Sequence, residues 1–478
     1  MYALRTGTIA IALLVSWAPW GRAQEKTEES SAQLSKRVSE LAALVQRLQA
    51  RVDELESKAG ISAPVSTGTA AVEAAPAASA QASATQPPAT QPAAAPVLPQ
   101  TTGVLGGILG GTTVNFLFDG YYGFNFNNPI GRVNLLRAYD VSSNAFSLNQ
   151  ADVIVENAPD PANGKRFGLR LDLQFGQATA TLQGNPSNEP RPDVYRNIFQ
   201  AYGTYVFAVG NGLTVDFGKW ASSLGMEGNY TKDQINYSRS LLFYFLPFYH
   251  MGARVNYKVN DVVSLNYWIT NGTQQTEPFN GFKDQMFGFV IQPRKTISWT
   301  VNYYLGQEHP DVEFLPNYTG TSLPTEQGLA FQPIPNPPSG KLHIFDNYLT
   351  WQASQKLSFA WEGDYVIERL YTNSAPQHVT GTALYARYQL APKFAIAART
   401  EYVSDRGGLF TGTTQDVKEQ TFTAEQVIAN GLLVRAEWRR DASNHPYFLT
   451  DQLDVLKKEQ NTATLGVVWW FGGKQGVW

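Results

Sequence analysis

Acidic and basic residues at every second position of several segments are the side chains of this sequence that could do chemistry. Arg435, Glu437 and Arg439 alternate with apolar residues, and Glu362 and Asp364 repeat the pattern in an earlier segment. So many charges would be prohibitive in a dry core, but they cost little where they line water, and there they select among ions. The residues with this pattern are Arg170, Asp172, Arg254, Lys258, Glu362, Asp364, Arg387, Arg399, Glu401, Arg435, Glu437 and Arg439.

Residues that would indicate catalysis, a metal or a cofactor form no known motif. The chain has no cysteine, and Gly218-Lys219 lacks the earlier glycine and the following Ser or Thr of a phosphate-binding loop. Neither Gly-x-Ser-x-Gly nor His-Glu-x-x-His occurs. We therefore expect no enzyme activity, no metal and no cofactor, and a Ser/His hydrolase assembled in space is the minor alternative. The histidines lie apart, without metal-ligand spacing, at His250, His309, His343, His378 and His445.

The alternation of charged with apolar residues has the period of a β-strand. About sixteen segments with this alternation follow one another between residues 113 and 471. Every second connection is short, as at 209–212 and 259–262, and the intervening connections are long, with 306–341 the longest. Transmembrane barrels sort their loops in this way, whereas soluble sandwiches have no reason to do so. The sequence therefore predicts an all-β fold, a transmembrane antiparallel β-barrel of about sixteen strands over residues 112–478.

Composition agrees with a barrel in a membrane. Aromatic residues make up 13% of the chain and charged residues only 16%, below the roughly 25% of soluble domains. Beyond the N-terminal region there is no apolar run of the length that a membrane helix needs, which excludes a helical membrane protein. A net charge of -3 without a long basic run argues against nucleic acid as a partner. The last segment ends in Trp469 and Phe471, and the terminal Trp478 resembles the sorting signal of bacterial outer-membrane proteins.

The N-terminal part of the chain divides into three regions of different composition. Residues 1–23 combine Arg5, a short apolar stretch and a small-residue cleavage pattern, which predicts a secretory signal peptide. Apolar residues at steps of four and three predict a short coiled-coil helix over 30–58, which would join chains into a dimer or trimer. An amphipathic helix that packs on another surface is the alternative. The Ala/Pro/Gly-rich residues 59–111 predict a disordered linker, which places the extension in the periplasm.

Three stretches within residues 112–478 carry a resemblance to a known family. Together they resemble the OmpL-like β-barrel porins, which occur in the outer membranes of several bacterial phyla. The resemblance implies an outer-membrane, porin-like barrel, but it implies no defined substrate and no catalytic residues. The stretches are Phe118-Asp119-Gly120-Tyr121-Tyr122, Asn236-Tyr237-Ser238-Arg239-Ser240 followed by Pro247-Phe248-Tyr249-His250-Met251-Gly252, and Trp469-Trp470-Phe471-Gly472-Gly473-Lys474.

The strand number predicts what the barrel does, because about sixteen strands leave an aqueous lumen. We therefore expect a Gram-negative outer-membrane porin that lets small hydrophilic solutes diffuse passively, with the alternating charged residues lining the pore. Its other expected partner is outer-membrane lipid. The alternative function is a structural anchor that links the membrane to peptidoglycan through the N-terminal helix.

The distribution of arginines predicts a constriction in this pore. Several lie in strands near the C-terminal end, and they would form a basic wall that faces Glu227 and Asp233 on the long loop between the fifth and sixth strands. The architecture is similar to that of general porins, in which the corresponding third loop folds into the lumen, and this resemblance implies that the loop would narrow the pore. Alternatively, the arginines pair with Glu362, Glu401 and Glu437 in purely structural networks. The arginines concerned are Arg387, Arg399, Arg435 and Arg439.

Overall fold

Sixteen of the strands described by a computed structural model close into one antiparallel barrel, which confirms the predicted fold class. The structure describes residues 110–183, 189, 192–314, 331–474 and 476–478. Strands follow one another round the barrel in chain order, except that β9 pairs with β12, and β1 closes on β18. The strands β10 and β11 form a small separate sheet. The bounds are β1 (Thr112–Asn125), β2 (Ala145–Asn157), β3 (Phe167–Phe175), β4 (Ile198–Phe207), β5 (Leu213–Ala221), β6 (Tyr249–Lys258), β7 (Val263–Thr270), β8 (Asp284–Arg294), β9 (Ile297–Gly306), β10 (Val312–Phe314), β11 (Phe331–Pro333), β12 (Leu342–Gln352), β13 (Leu357–Glu368), β14 (Gln377–Ala391), β15 (Phe394–Arg406), β16 (Gln415–Ala429), β17 (Leu432–Ser443) and β18 (Glu459–Gly472).

Helices in the described residues are short and lie in the connections. None of them has the length and apolar character that crossing a bilayer requires. The predicted signal peptide (1–23), the coiled-coil helix (30–58) and all but the end of the linker (59–111) lie outside the described residues. The helices are α1 (Gln177–Leu182), α2 (Pro192–Tyr195) and α3 (Leu241–Phe245), with 3-10 turns at Ile130–Arg132, Pro161–Asn163 and Thr231–Asp233.

The two faces of the barrel wall differ as the alternation predicts. Phe118, Leu169 and Trp469 point outward and are 47%, 50% and 53% exposed. Their chain neighbours, such as Asp119 and Arg170, point inward and are buried. An apolar outer face is the surface that hydrocarbon solvates, and the barrel leaves no unpaired strand edge in it. The wall is therefore built to sit in a bilayer.

The short turns gather at one rim of the barrel. Thr112, the first residue of β1, pairs with Asn157 at the start of the β2–β3 connection, so the chain enters the barrel at this rim. The strand β18 ends beside β1 at the same rim, with Asn115 opposite Gly472. The long connections, among them the one from β5 to β6, start from the opposite rim.

Candidate pore constriction

The connection from β5 to β6, residues 222–248, lies inside the barrel; we call it the inner loop. Its residues Leu224, Leu241 and Leu242 are buried in one apolar cluster with Val379 and Val403, which point inward from β14 and β15. Apolar residues at inward positions would be out of place in a purely aqueous lumen, but here they contact the inner loop. Burial of apolar surface is therefore one of the forces that hold the loop inside.

Two glycines on the inner wall give the inner loop room to approach. A Cβ atom on Gly466 of β18 would lie 2.2 Å from a ring carbon of Tyr237, and one on Gly381 of β14 would lie 2.3 Å from Leu242 Cδ2. Carbon atoms in favourable contact are about 3.5–4.0 Å apart. A larger residue at either position would therefore push the loop off the wall, as expected where a strand glycine marks a close approach.

Tyr237 fixes the middle of the inner loop. Its side chain is fully buried, its hydroxyl donates to Asp119 Oδ1 at 2.8 Å, and its backbone N–H donates to Glu437 Oε2 at 2.7 Å. Burial raises the pKa of the Tyr237 hydroxyl well above its usual range, and the neighbouring Asp119 carboxylate raises it further. The hydroxyl therefore stays protonated and ties the loop to β1, while the backbone N–H ties it to β17.

Arg399 joins the inner loop to β15 and β16. Its Nη1 lies 2.9 Å from Glu227 Oε1 and donates to the carbonyl oxygen of Ser238 at 2.8 Å. Its Nε lies 3.3 Å from Glu419 and 3.8 Å from Glu401. The residue is only 2% exposed. One dry guanidinium thus meets three carboxylates, of which one belongs to the loop and two belong to the wall.

The buried arginines of β17 also hold the inner loop. Arg435 pairs with Glu425 at 2.7 Å and Arg439 pairs with Asp441 at 2.8 Å. A guanidinium has five N–H donors, so donors remain after each ion pair. Arg435 donates to the carbonyl groups of Thr231, Gln234 and Asn236 in the loop. Arg439 donates to the carbonyl group of Arg239.

Wall carboxylates receive backbone N–H groups of the inner loop. Such charge-assisted hydrogen bonds are about twice as strong as neutral ones. They fix the loop backbone itself, so the loop's path is set by inward residues of four different strands. The pairs are Glu437 with the N–H groups of Tyr237 and Ser238, Glu401 with Leu241, Asp346 with Gly225, and Glu362 with Met226.

The other predicted cations pair with carboxylates away from the inner loop's backbone. The side chains of Arg254, Arg387 and Lys258 are 19%, 19% and 40% exposed, which separates them from the dry arginines above. They are the predicted charges with the most contact with solvent. The pairs are Arg170 with Asp172 (3.0 Å), Arg254 with Asp216 (2.6 Å), Arg387 with Glu425 (2.7 Å) and Lys258 with Asp261 (2.7 Å).

The two acidic residues that the sequence placed on the loop lie in different surroundings. Glu227 contacts Arg399, but Asp233 pairs with Lys232 at 2.7 Å and accepts the Trp478 N–H at 3.1 Å. The expected structural network also has different members. In the part of the chain that the structure describes, Glu362 and Glu437 have no arginine partner, because backbone amides of the inner loop bind them.

A family model described as "Putative beta-barrel porin-2, OmpL-like" matches residues 111–471, which is most of the chain. The chain belongs to this family. No curated protein sequence matches it. Three solved structures share a low degree of similarity with this porin-family barrel. They are OprB of Pseudomonas putida (TM-score 0.49, 12% identity, 75% of this chain and 94% of that chain), the channel DcaP of Acinetobacter baumannii (0.48, 9%, 75% and 97%) and an anion-selective porin from Comamonas acidovorans (0.48, 6%, 75% and 99%).

The C-terminal tail of this OmpL-like barrel touches the inner loop. Trp478 does not continue the outward aromatic stripe of β18, since its ring centroid lies 6.1 Å from that of Tyr230. Lys232 Nζ lies 4.4 Å from the Trp478 ring centroid and donates to the Gly476 carbonyl at 2.8 Å. Burial lowers the pKa of Lys232, although Asp233 opposes this shift. The tail and the loop therefore form one contact near the short-turn rim.

Sequence reasoning missed the wall glycines and the tail contact of this porin-family member. The glycines had a visible signal, because Gly381 and Gly466 interrupt period-two strands at inward positions. The tail contact had no such signal, because nothing in residues 473–478 predicts that the tail meets Lys232, which lies 244 positions before Gly476.

Proposed function

We propose that this porin-family protein is a passive channel for small hydrophilic solutes and not an enzyme. The observation that carries the proposal is one polar stretch of the inner wall that is only half-buried. Towards the short-turn rim, the inward residues Arg254, Asn256, Asn266 and Gln292 of β6, β7 and β8 keep partial exposure. Groups of this kind hydrogen-bond to water at little cost and are suited to bound an aqueous path.

The inner loop sets the width of this path. Its hydrogen bonds to β13, β15 and β17 hold it to one side of the lumen, and its residues Tyr230 and Thr231 also hydrogen-bond to Asp172 of β3 and Gln150 of β2. The dry arginines Arg399, Arg435 and Arg439 act as clamps for the loop, and their buried charge is balanced locally. We propose that Arg254 and Arg387, which remain partly exposed, contribute more to ion preference than the clamps do.

The surroundings of the barrel follow from its surfaces and its topology. The apolar outer face contacts outer-membrane lipid. We propose that residues 1–23 are a signal peptide and that the extension 24–111 lies in the periplasm, where the coiled-coil segment 30–58 associates two or three chains. The entry of β1 at the short-turn rim supports this orientation, because short turns face the periplasm in outer-membrane barrels.

A liposome-swelling assay tests the proposal. Purified protein is reconstituted into vesicles, which are diluted into isotonic sugars of increasing size, from pentoses to trisaccharides. We expect fast swelling with the small sugars and a steep decline with size, because the inner loop narrows the bore. Vesicles with heat-denatured protein are the control. Equal, background-level swelling with every sugar would contradict a diffusion channel.

A further inference from the structure

Three inward carboxylates on neighbouring strands form a compact group next to the inner loop. Asp346 of β12 and Asp364 of β13 are direct partners in the strand register, and Glu362 lies two residues before Asp364 on the same face. One oxygen from each of the three carboxylates lies within 4.8 Å of the others, and all three residues are buried. Like charges directly opposite each other in a sheet are destabilising.

Asp364 is the unusual member of this group. It is 4% exposed, and both of its carboxylate oxygens are shielded from solvent and accept no hydrogen bond from an amide, hydroxyl or cationic group; the polar group within hydrogen-bonding reach is another carboxyl, that of Asp346. A buried carboxylate normally accepts several hydrogen bonds or pairs with a cation, because burial removes its hydration. The side chain therefore points to a ligand that supplies what the protein does not.

The charge of the group has no ion-pair partner among the residues that the structure describes. Among the ion pairs of the described residues, none joins Asp346, Glu362 or Asp364 to a lysine, arginine or histidine. Arg399, which also joins the inner loop to the wall, pairs instead with Glu227, Glu401 and Glu419. Neutral donors reach only the other two carboxylates. Asp346 accepts from the Gly225 N–H and from Asn302 Nδ2. Glu362 accepts from the Met226 N–H and from the Tyr385 hydroxyl.

We propose that Asp346, Glu362 and Asp364 bind a calcium ion. Calcium takes oxygen ligands at about 2.3–2.6 Å, so two ligands on opposite sides of one ion lie roughly 4.6–5.2 Å apart. The three oxygens all lie within 4.8 Å of one another, which is inside the span that one calcium ion can bridge. Magnesium demands near-ideal octahedral geometry and usually keeps several waters, so a buried group of three protein carboxylates suits it less. Carboxylates also supply the negative charge that strengthens calcium binding.

The ion would connect the wall to the start of the inner loop. Asp346 and Glu362 accept the N–H groups of Gly225 and Met226, at 3.1 and 3.0 Å, while their remaining lone pairs stay available for a metal. A cation that holds these two carboxylates in place also holds the loop backbone bound to them. Calcium would thus stabilise the docked position of the inner loop where it leaves β5.

Terbium luminescence and calcium competition test the site. The protein is refolded without lipopolysaccharide, treated with EDTA, and titrated with Tb³⁺, whose emission is sensitised by nearby aromatic rings such as Tyr385. Asp364→Asn and Glu362→Gln are compared with the wild type. The matched control is Asp152→Asn, because Asp152 is also an inward, buried carboxylate whose oxygens accept no hydrogen bond, but it belongs to no three-ligand group in the described residues.

We expect sensitised emission in the wild type that Ca²⁺ displaces, with affinity about tenfold or more weaker in Asp364→Asn and unchanged in Asp152→Asn. Heat-dependent gel mobility reports whether each variant is folded. If Asp364→Asn does not fold, Glu362→Gln replaces it as the test variant. Wild type without displaceable emission, or folded Asp364→Asn and Glu362→Gln with wild-type affinity, would overturn the proposal. The readout is ion binding, so it is independent of whether the barrel conducts.

Discussion

Replacing Gly466 by alanine should release the inner loop from the wall. The new Cβ would start 2.2 Å from the Tyr237 ring, so the ring must move by about 1.3 Å to reach a normal contact. The Tyr237 residue is held by two short hydrogen bonds to carboxylates, of 2.8 Å to Asp119 and 2.7 Å to Glu437. The ring carries the hydroxyl that donates to Asp119, so this displacement breaks that bond; the bond to Glu437 comes from the backbone N–H and is lost only where the backbone moves with the ring.

The structure gives the magnitude of this effect. A hydrogen bond to a charged group contributes about 1.5–3 kcal/mol, so loss of the Asp119 bond alone costs roughly 1.5–3 kcal/mol of loop docking and loss of both bonds costs roughly 3–6 kcal/mol. These costs correspond to a factor of about 10 to 10⁴ in the ratio of docked to undocked loop. The barrel itself should remain folded, because the strand pairing and the outer apolar face do not change.

Single-channel recording of Gly466→Ala in planar bilayers measures the result. We expect larger or strongly fluctuating conductance and a higher size limit for sugars. The matched control is Gly203→Ala on β4, where a Cβ would meet its nearest atom at an ordinary 3.6 Å. The reasoning about the inner loop is refuted if folded Gly466→Ala has the conductance, noise and size limit of the wild type.

Three other predictions concern charge, pH and the extension. Arg254→Gln should shift the reversal potential towards cation selectivity. Unchanged reversal potentials in Arg254→Gln and Arg387→Gln would contradict the proposed role of these two arginines in ion preference. Arg399→Glu should change conductance, because it frees the inner loop. Because burial lowers the pKa of Lys232, the unfolded chain binds this proton more tightly, so stability should rise as pH increases towards about 10.4. Denaturant unfolding should find this rise in the wild type but not in Lys232→Met, and equal pH profiles would argue against it. Removal of residues 24–100 should leave channel conductance intact while abolishing chemical cross-linking between chains, whereas loss of conductance would make the extension part of the pore.

The strands were predictable because they depend on local information. A period of two, bounded by turn residues, is visible without knowing what each strand pairs with, and the parity of loop lengths gives the orientation. The inward direction of residues such as Arg435 and Glu437 follows from the same period. The structure also bears out the strand number, because sixteen strands close the barrel.

The contacts inside the barrel were not predictable in the same way. The partners of Glu362 and Glu437 are backbone amides of the inner loop, 136 and 200 positions away, and amides leave no trace in the sequence. The group around Asp364 exists because the strand register places Asp346 opposite it, and a shift of one residue would remove it. Asp233 was expected to face arginines, but the C-terminal tail binds it instead.

The central claim is that water crosses the barrel past the docked inner loop. Planar-bilayer recording of the purified wild-type protein tests it most directly, with folding verified by heat-dependent gel mobility. We expect stable, ohmic conductance steps of uniform size. A correctly folded barrel that inserts into the bilayer and stays electrically silent would contradict it.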